Sequence, residues 1–372
     1  MISWLQTKFA SQYSKFVPSE KIIAVAGSFD QKTTALASKA VLSQLGEIVS
    51  STDFAEPKIS KTLLKVGPKV KKAIFELPQG HIGQMDKFLE LVKPQVGILV
   101  GLDLTNAELA GSFEQILEQS SKLLQSLPAT GAAILNWDDL SCRKLSEQTP
   151  AEVIFFGTDP RNCQIWAGNI TLRNFKISFE LNYGVERIEI NTDFIGKHQI
   201  YPILAVAALG IREGLRLTQI KKGLETILPL EHQFQLFSGY GGSLVLDDSG
   251  QNSPALLEQN LETLNYLPAR RRILVLGEIK HLGSFAPKIY KTLAHKIYKE
   301  KLDLVFLVKG ETKLVAEELL KMGFIAEQME QELTNPQVVA SLLKVLAKGD
   351  VVLIAGSKEL RLDEVVAKIT KK

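Results

Sequence analysis

The sequence "AGSFDQKTTA", residues 26–35, directly follows the apolar run "KIIAV", residues 21–25, and this junction decides the fold. An apolar run, a turn with a glycine and a helical pattern that opens with Lys-Thr-Thr are typical of a phosphate-binding strand–loop–helix unit. In that interpretation Lys32 contacts the β- and γ-phosphates of a nucleotide, and Thr33 offers its hydroxyl to Mg²⁺. Gln31 stands where such loops normally carry a second glycine. The alternative is an ordinary strand-to-helix turn with Lys32 in the first exposed helical turn.

Short apolar runs rich in β-branched residues alternate with helical patterns after this junction. The runs include "KAIFEL" at 72–77, "VGILVG" at 96–101 and "GAAILN" at 131–136. Strands that alternate with helices in this way form βαβ units and a largely parallel sheet. The runs "CQIWAGNITL" at 163–172 and "KISFELNYG" at 176–184 are closely spaced instead, and they predict antiparallel hairpins at one edge of that sheet.

The strand–helix alternation starts again with "GSLVLDD" at 242–248. We therefore predict an α/β protein. A central P-loop-type domain has a mostly parallel sheet with an antiparallel edge, and a smaller Rossmann-like α/β domain follows it. The predicted boundaries are residues 1–230 and 231–372, joined by a compact hinge near residues 228–235.

The composition is that of an ordinary globular protein. Hydrophobic residues make up 45% of the 372 residues and charged residues 23%, and no apolar run approaches the ~20 residues of a membrane span. The N-terminal "MISWLQTKFASQYSKF" lacks the apolar core of a signal peptide and predicts a short amphipathic helix, so we expect a cytoplasmic protein. A net charge of +3 with dispersed lysines argues against nucleic acid as a partner, and two cysteines cannot form a zinc ribbon.

The phosphate-type loop is the first of several motifs that follow one another through the whole chain. "GSFDQKTT" retains Gly27, Ser28, Lys32, Thr33 and Thr34 of a loop that reads roughly G-[ST]-N-G-K-T-T, with one extra residue inside. The later segments are "ELPQGHIGQM", "GSFEQI", "LPATGAAILNWDD", "GKHQIYPILA", "LVLDDSGQNSPALLEQNLETL", "ILVLGEIKHLG" and "VVLIAGSKELRLDEVV". In this order they resemble the Mur ligases of peptidoglycan synthesis, most closely the branch that adds D-alanyl-D-alanine to UDP-N-acetylmuramoyl-tripeptide.

The resemblance implies a function in peptidoglycan precursor synthesis. Such ligases phosphorylate a substrate carboxylate with ATP, and an amine then attacks the acyl phosphate to form a peptide bond. A carboxylate is a poor electrophile, and phosphorylation gives it a good leaving group. Catalysis then depends on a phosphate cradle, Mg²⁺ and fixed cations, so ATP and Mg²⁺ are the expected cofactors.

The resemblance also implies the residues of the site. The expected catalytic residues are Lys32, Glu76 and His198. The expected nucleotide-binding residues are Gly27, Ser28, Lys32, Thr33, Thr34, Asp247 and Asp248, and the expected metal ligands are Thr33 and Glu76. For Glu76 the alternative is a solvated carboxylate at the end of a strand.

Several family positions are altered in this chain. Asn106 stands in place of a histidine near the second metal, Ser120 in place of a carbamylated lysine, and Gln233 in place of an arginine. A neutral hydroxyl cannot supply the bridging carbamate that binds Mg²⁺. Because Gln31 has a Cβ and disfavours a positive φ, the sequence also predicts weak nucleotide binding that a Gln31→Gly substitution would tighten.

Two classes of function therefore remain open. The first is an ATP-dependent carboxylate–amine ligase whose substrate-recognition domain comes from a partner chain. The loop begins at residue 27, so we expect the UDP-sugar-binding domain that precedes it in relatives to come from elsewhere. The second is a catalytically degenerate relative that acts as a binding or scaffold protein. A plain P-loop NTPase motor or switch fits less well, because the second α/β domain also resembles the Mur ligases.

Overall fold

The computed structural model describes residues 9–51, 56–77, 83–105, 107–250 and 253–370. It divides into two compact units, each with its own sheet. The first unit comprises Met1–Asp103, Leu109–Asp193 and Gln199–Leu228, and the second comprises Leu104–Glu108, Phe194–His198 and Pro229–Lys372.

The first unit is built on a nine-stranded sheet. Its strands are β1 (Ile22–Ala26), β2 (Glu47–Ser51), β3 (Val70–Glu76), β4 (Val96–Leu99), β5 (Ala132–Asn136), β6 (Glu152–Gly157), β7 (Ile165–Arg173), β8 (Lys176–Tyr183) and β9 (Glu186–Asn191). The helices up to residue 228 are α1 (Gln31–Leu42), α2 (Glu56–Leu63), α3 (Gln84–Leu91), α4 (Ala107–Ala110), α5 (Phe113–Ser126), α6 (Leu140–Leu145), α7 (Ile200–Arg212) and α8 (Leu217–Leu224).

The strand order of this sheet is β2-β3-β1-β4-β5-β6-β7-β8-β9. The pairs from β2 to β7 are parallel, and β7–β8 and β8–β9 are antiparallel. Every residue of β1, β4 and β5 is buried, as expected for central parallel strands covered on both faces. The prediction of a mostly parallel sheet with an antiparallel edge is confirmed.

Local sequence explains several of the helices. Helix α5 begins after Ser112, whose hydroxyl accepts a hydrogen bond of 3.2 Å from the backbone N–H of Gln115. Helix α7 is apolar almost all round, and ten of its thirteen residues are buried, so it is a core helix rather than a surface one. Residues 9–13 are helical, while the rest of the predicted N-terminal amphipathic helix, residues 1–8, lies outside the described residues.

The second unit is built on a six-stranded sheet of order β10-β11-β15-β12-β13-β14. Its strands are β10 (Gln235–Ser238), β11 (Leu244–Asp248), β12 (Arg271–Leu276), β13 (Leu304–Val308), β14 (Met329–Leu333) and β15 (Asp350–Ala355). Its helices are α9 (Pro254–Tyr266), α10 (Ala286–Lys299), α11 (Lys313–Lys321), α12 (Asn335–Val345) and α13 (Asp363–Ile369). All pairs are parallel except β10–β11, so the predicted Rossmann-like α/β architecture is confirmed.

The two edge strands of the second sheet, β10 and β14, were not anticipated from the sequence. Strand β14 reads "MEQEL" and is largely exposed, so it lacks the apolar run by which the other strands are recognised. Among the described residues, no helix is long and apolar enough to cross a membrane.

Candidate functional site

The predicted loop leaves the sheet of the first unit at a point where the chain changes direction. Strand β1 lies between β3 and β4, and the chain first builds β2 and β3 on one side of β1 before it crosses to β4 on the other. In open α/β sheets, ligands bind outside the carboxyl ends of the strands at such a switch point. The loop that follows β1 therefore occupies the position where this fold class binds its ligand.

Backbone contacts hold this loop against the segment after β4. The backbone N–H of Ser28 donates to the carbonyl of Gly101 at 2.8 Å, and the N–H of Asp103 donates to Oγ of Ser28 at 3.0 Å. The hydroxyl of Ser28 also donates to the carbonyl of Asp103 at 3.2 Å. Ser28 thus anchors the loop, and its predicted contact with a nucleotide stays a prediction.

Gly27 permits a close approach that another residue would block. Its φ is +154°, and a Cβ at this position would lie 3.2 Å from the carbonyl oxygens of Gly101 and Phe29. The ring of Phe29 packs directly on Gly101, where a Cβ would lie 2.3 Å from the ring. The loop is therefore packed tightly around its backbone, which favours a fixed arrangement of its N–H groups.

The left-handed residue of the loop is the one before Gln31. Gln31 is the first residue of helix α1, and the residue with a left-handed backbone is Asp30, at φ 59° and ψ 8°. The loop therefore does not require a positive φ at Gln31, so the reason given for weak nucleotide binding does not apply, and the weak binding itself stays a prediction. The side-chain amide of Gln31 instead donates a hydrogen bond back to the carbonyl of Gly27 and closes the loop.

Lys32 and the two threonines occupy the first turn of α1. Lys32 is exposed, whereas Thr33 is 6% exposed and Thr34 is fully buried. Thr34 donates to the carbonyl of Asp30 from both its backbone N–H, at 2.9 Å, and its hydroxyl, at 2.8 Å. Thr34 therefore fixes the start of the helix, and Lys32 and Thr33 remain the residues of the turn that suit a phosphate and its metal.

Asp30 is the residue of the loop that sequence reasoning missed. Its Oδ2 atom is buried without a hydrogen-bond partner, and its side chain does not cap α1. Burial raises the pKa of this carboxyl from 3.8 to about 7. The signal in the sequence was an aspartate inside a loop that is one residue longer than usual. Aspartate is among the few non-glycine residues that readily adopt a left-handed backbone.

Glu76 is the last residue of β3 and lies in register with Val25 of β1. The following residue, Leu77, donates its backbone N–H to the carbonyl of Val25 at 2.8 Å. Glu76 is only 7% exposed, so the alternative of a solvated carboxylate at a strand end is wrong. The structure thus places a buried carboxylate beside the strand that leads into the loop.

Asp247 and Asp248 belong to the second unit and end strand β11. The backbone N–H and the hydroxyl of Ser249 donate to Oδ1 of Asp247 at 3.0 and 2.6 Å, and Nδ1 of His232 lies 2.7 Å from its Oδ2. Asn260 donates to Oδ2 of Asp248 at 2.7 Å. Both carboxylates are buried and bonded within their own unit, and His232 is a partner that the sequence did not reveal.

His198 also belongs to the second unit and is only 4% exposed. Its ring packs edge-on against Phe234, with 5.9 Å between the ring centroids, and its Nδ1 is buried without a hydrogen-bond partner. Burial lowers the pKa of His198 from 6.5 to about 3, so the imidazole is neutral at pH 7. A cationic catalytic role for His198 is therefore not supported, while Lys32 and Glu76 belong to the first unit.

The positions where this chain lacks the family's metal-site residues carry side chains that make other contacts. Ser120 is fully buried in α5 and donates to the carbonyl of Ile116 at 2.9 Å. Lys122 contacts Asp86 at 2.9 Å and Glu118 at 3.5 Å. Asn106 lies outside the described residues. In the part of the chain that the structure describes, no group of three or more His, Cys, Asp or Glu side chains is placed to hold a metal ion.

Two family descriptions match most of the chain. The Mur ligase middle domain matches residues 25–210, and the Mur ligase glutamate ligase domain matches residues 232–358. The chain is similar to the UDP-N-acetylmuramoyl-tripeptide–D-alanyl-D-alanine ligase of Mycobacterium tuberculosis H37Rv, with 27% identity over 274 residues. This match covers 71% of the chain and 54% of that relative, so the chain matches about half of the relative's length.

Solved structures show the same fold. MurF from Acinetobacter baumannii matches with a TM-score of 0.87 and 18% identity over 98% of this chain and 80% of its own. The MurF ligase of Thermotoga maritima in complex with ADP matches with a TM-score of 0.84 and 18% identity, over 98% of this chain and 83% of its own. At this identity the likeness concerns the fold alone.

Proposed function

The chain belongs to the Mur ligase family, and from this premise we propose that it binds ATP and catalyses ATP-dependent ligation of a carboxylate to an amine. The observation that carries the proposal is the loop of residues 27–34 at the switch point of the first sheet, with Lys32 and Thr33 on the first turn of α1. Glu76 supports it, because the register places this buried carboxylate beside the strand that enters the loop.

The residues present fit a nucleotide with Mg²⁺. Gly27 lets the loop backbone pack where a Cβ would lie 3.2 Å from two carbonyl oxygens, and the N-terminus of a twelve-residue helix favours an anion. Lys32 supplies an exposed positive charge, and the oxygens of Thr33 and Glu76 suit Mg²⁺. ATP with Mg²⁺ supplies the phosphoryl group that converts a carboxylate into an acyl phosphate. The protein's part is to hold the phosphates and neutralise their charge.

The proposal extends to the substrates, a partner chain and the cellular location. We propose a UDP-muramoyl peptide as the carboxylate and D-alanyl-D-alanine as the amine, since these are the substrates in the name of the M. tuberculosis relative. A partner chain would contribute substrate recognition, and residues 1–230 and 231–372 would act as the middle and C-terminal domains. Cys142 and Cys163 are free thiols, which suits the reducing cytoplasm that we propose as its location. Asp247 and Asp248 stay proposed nucleotide contacts.

Calorimetric titration with ATP and MgCl₂ tests nucleotide binding. We expect Lys32→Ala to weaken binding about 10–100-fold, because a charge-assisted bond to a phosphate contributes roughly 1.5–3 kcal/mol. Lys39→Ala is the matched control, since Lys39 is exposed near the other end of the same helix. Equal ATP affinities of Lys32→Ala and Lys39→Ala would show that Lys32 does not contribute to nucleotide binding.

ADP release with UDP-N-acetylmuramoyl-tripeptide and D-alanyl-D-alanine tests the reaction. We expect slow turnover by the chain alone, below the usual range of about 1–10³ s⁻¹, because the histidine and the carbamylated lysine of the family's metal site are replaced by Asn106 and Ser120. Release of ADP that requires both substrates would support the ligase. Binding of ATP without any such release, at any protein concentration, would favour the binding or scaffold alternative.

A further inference from the structure

The carboxylate of Asp30 has no use within the folded loop. Its Oδ2 is buried without a hydrogen-bond partner, although the residue precedes a helix, where an aspartate usually caps the free N–H groups. The left-handed backbone of Asp30 explains this, because a capping residue normally has an extended backbone from which its side chain reaches back to the helix. The carboxylate of Asp30 therefore does not cap α1, although its position before the helix suggests that it would.

The backbone of Asp30 is nevertheless fixed. Its carbonyl accepts hydrogen bonds from the N–H and the hydroxyl of Thr34, at 2.9 and 2.8 Å. The amide of Gln31 ties the same turn to the carbonyl of Gly27. A side chain held on a fixed backbone with a buried, unpartnered oxygen costs free energy unless a ligand satisfies it, so this oxygen points to a missing partner.

The position of Asp30 identifies that partner as a cation beside the phosphates. Asp30 directly precedes α1 in the loop that is proposed to hold the phosphates, and Thr33 lies three residues further along, in the first turn of that helix. Thr33 carries the hydroxyl that suits a nucleotide's metal. Carboxylate and hydroxyl oxygens next to phosphates form the oxygen-rich set that Mg²⁺ prefers.

Resting on the proposed nucleotide site, we propose that Asp30 is a ligand of the Mg²⁺ that accompanies ATP, either directly or through one of the metal's water molecules. Asp30 thereby supplies a negative oxygen, whereas Ser120, which stands in place of the family's carbamylated lysine, has a neutral hydroxyl that donates to the carbonyl of Ile116. The metal is then held by the loop itself, through Asp30 and Thr33, together with Glu76.

The test compares the affinity for ATP in MgCl₂ with the affinity in EDTA. Asp30→Asn and Asp30→Gly are suitable variants, because asparagine and glycine both tolerate the left-handed backbone at φ 59°. We expect each variant to reduce the ratio of the two affinities at least about tenfold. Binding in EDTA should be unchanged or tighter, because a negative charge near the phosphates is removed. Asp86→Asn is the control, since Asp86 is an exposed carboxylate of the same unit that contacts Lys122.

The outcomes separate this proposal from the proposed function. A ratio in either folded variant within twofold of the wild-type ratio would overturn the role of Asp30 and leave ATP binding intact. Loss of binding to the same degree in MgCl₂ and EDTA would also overturn it, because the residue would then act on the loop rather than on the metal. A wild-type chain that binds no ATP would overturn both proposals.

Discussion

Nδ1 of His232 lies 2.7 Å from Oδ2 of Asp247, and this contact joins a half-exposed ring to a carboxylate that is 1% exposed. His232 lies just before β10, and Asp247 lies on β11, which pairs antiparallel with β10. Together with Ser249, the histidine satisfies both oxygens of the buried carboxylate. The pairing of β10 with β11 thus brings His232 to Asp247, a residue that the sequence analysis predicted to bind the nucleotide.

Replacing His232 by alanine should destabilise the second unit by about 1–3 kcal/mol, because one oxygen of buried Asp247 loses its partner. Denaturant unfolding measures the change. His295→Ala is the control, since that exposed ring contacts Glu318 at 3.2 Å on the surface of the same unit, and a smaller effect is expected there. Equal effects of the two substitutions would contradict a special role for the buried contact.

Gln31→Gly should weaken ATP binding about 3–10-fold rather than tighten it. Gln31 is helical, so glycine relieves no strain there, and the substitution removes the bond from its amide to Gly27 while it adds backbone freedom. Calorimetry with MgCl₂ and ATP measures the effect. Lys39→Gly adds the same freedom to the same helix without touching the loop. Tighter binding by Gln31→Gly would show that the closed loop hinders the nucleotide.

His198 should make the second unit less stable in acid. Its folded-state pKa of about 3 lies below the ordinary value of 6.5, so the unfolded chain binds a proton that the folded chain excludes. The stability that depends on neutral His198 is fully present above pH 6.5 and is lost as pH falls toward 3, by up to about 1.4 kcal/mol per pH unit. Urea unfolding of wild type and His198→Leu between pH 4 and 8 should show a shallower slope in the variant, and parallel slopes would rule the effect out.

Both cysteines should resist alkylation in the folded chain. Burial raises the pKa of the Cys142 thiol well above its ordinary value, and burial with the nearby charge of Asp138 raises the pKa of Cys163 to about 12. At pH 8 the thiolate fraction of Cys163 is then roughly 10⁻⁴, and the thiolate is the reactive form. Iodoacetamide labelling followed by mass spectrometry should find both thiols unmodified until urea unfolds the first unit. Rapid labelling of either thiol without urea would show that it is accessible.

Much of the fold follows from local pattern. Short buried apolar runs such as β1 and β5, separated by helices, favour parallel strands covered on both faces, and the sequence predicted these correctly. The hairpin of β7 and β8 was predicted from the close spacing of its two runs, and the structure adds β9 as a further antiparallel strand. The edge strand β14 was missed because its side chains face solvent, and an edge strand takes its conformation from its neighbour's hydrogen bonds rather than from an apolar run.

The sequence by itself determined which residues enter the loop and that Lys32 and Thr33 lie in the first turn of a helix, because residue type and spacing fix a strand–turn–helix unit. Only the tertiary structure decided what each loop residue does. In the structure Phe29 packs on Gly101, Ser28 is anchored at Asp103, and Asp30 takes the left-handed backbone. One oxygen of Asp30 is buried without a partner. Burial and hydrogen bonding depend on chain segments distant in sequence, so they cannot be predicted from residues 26–35 alone.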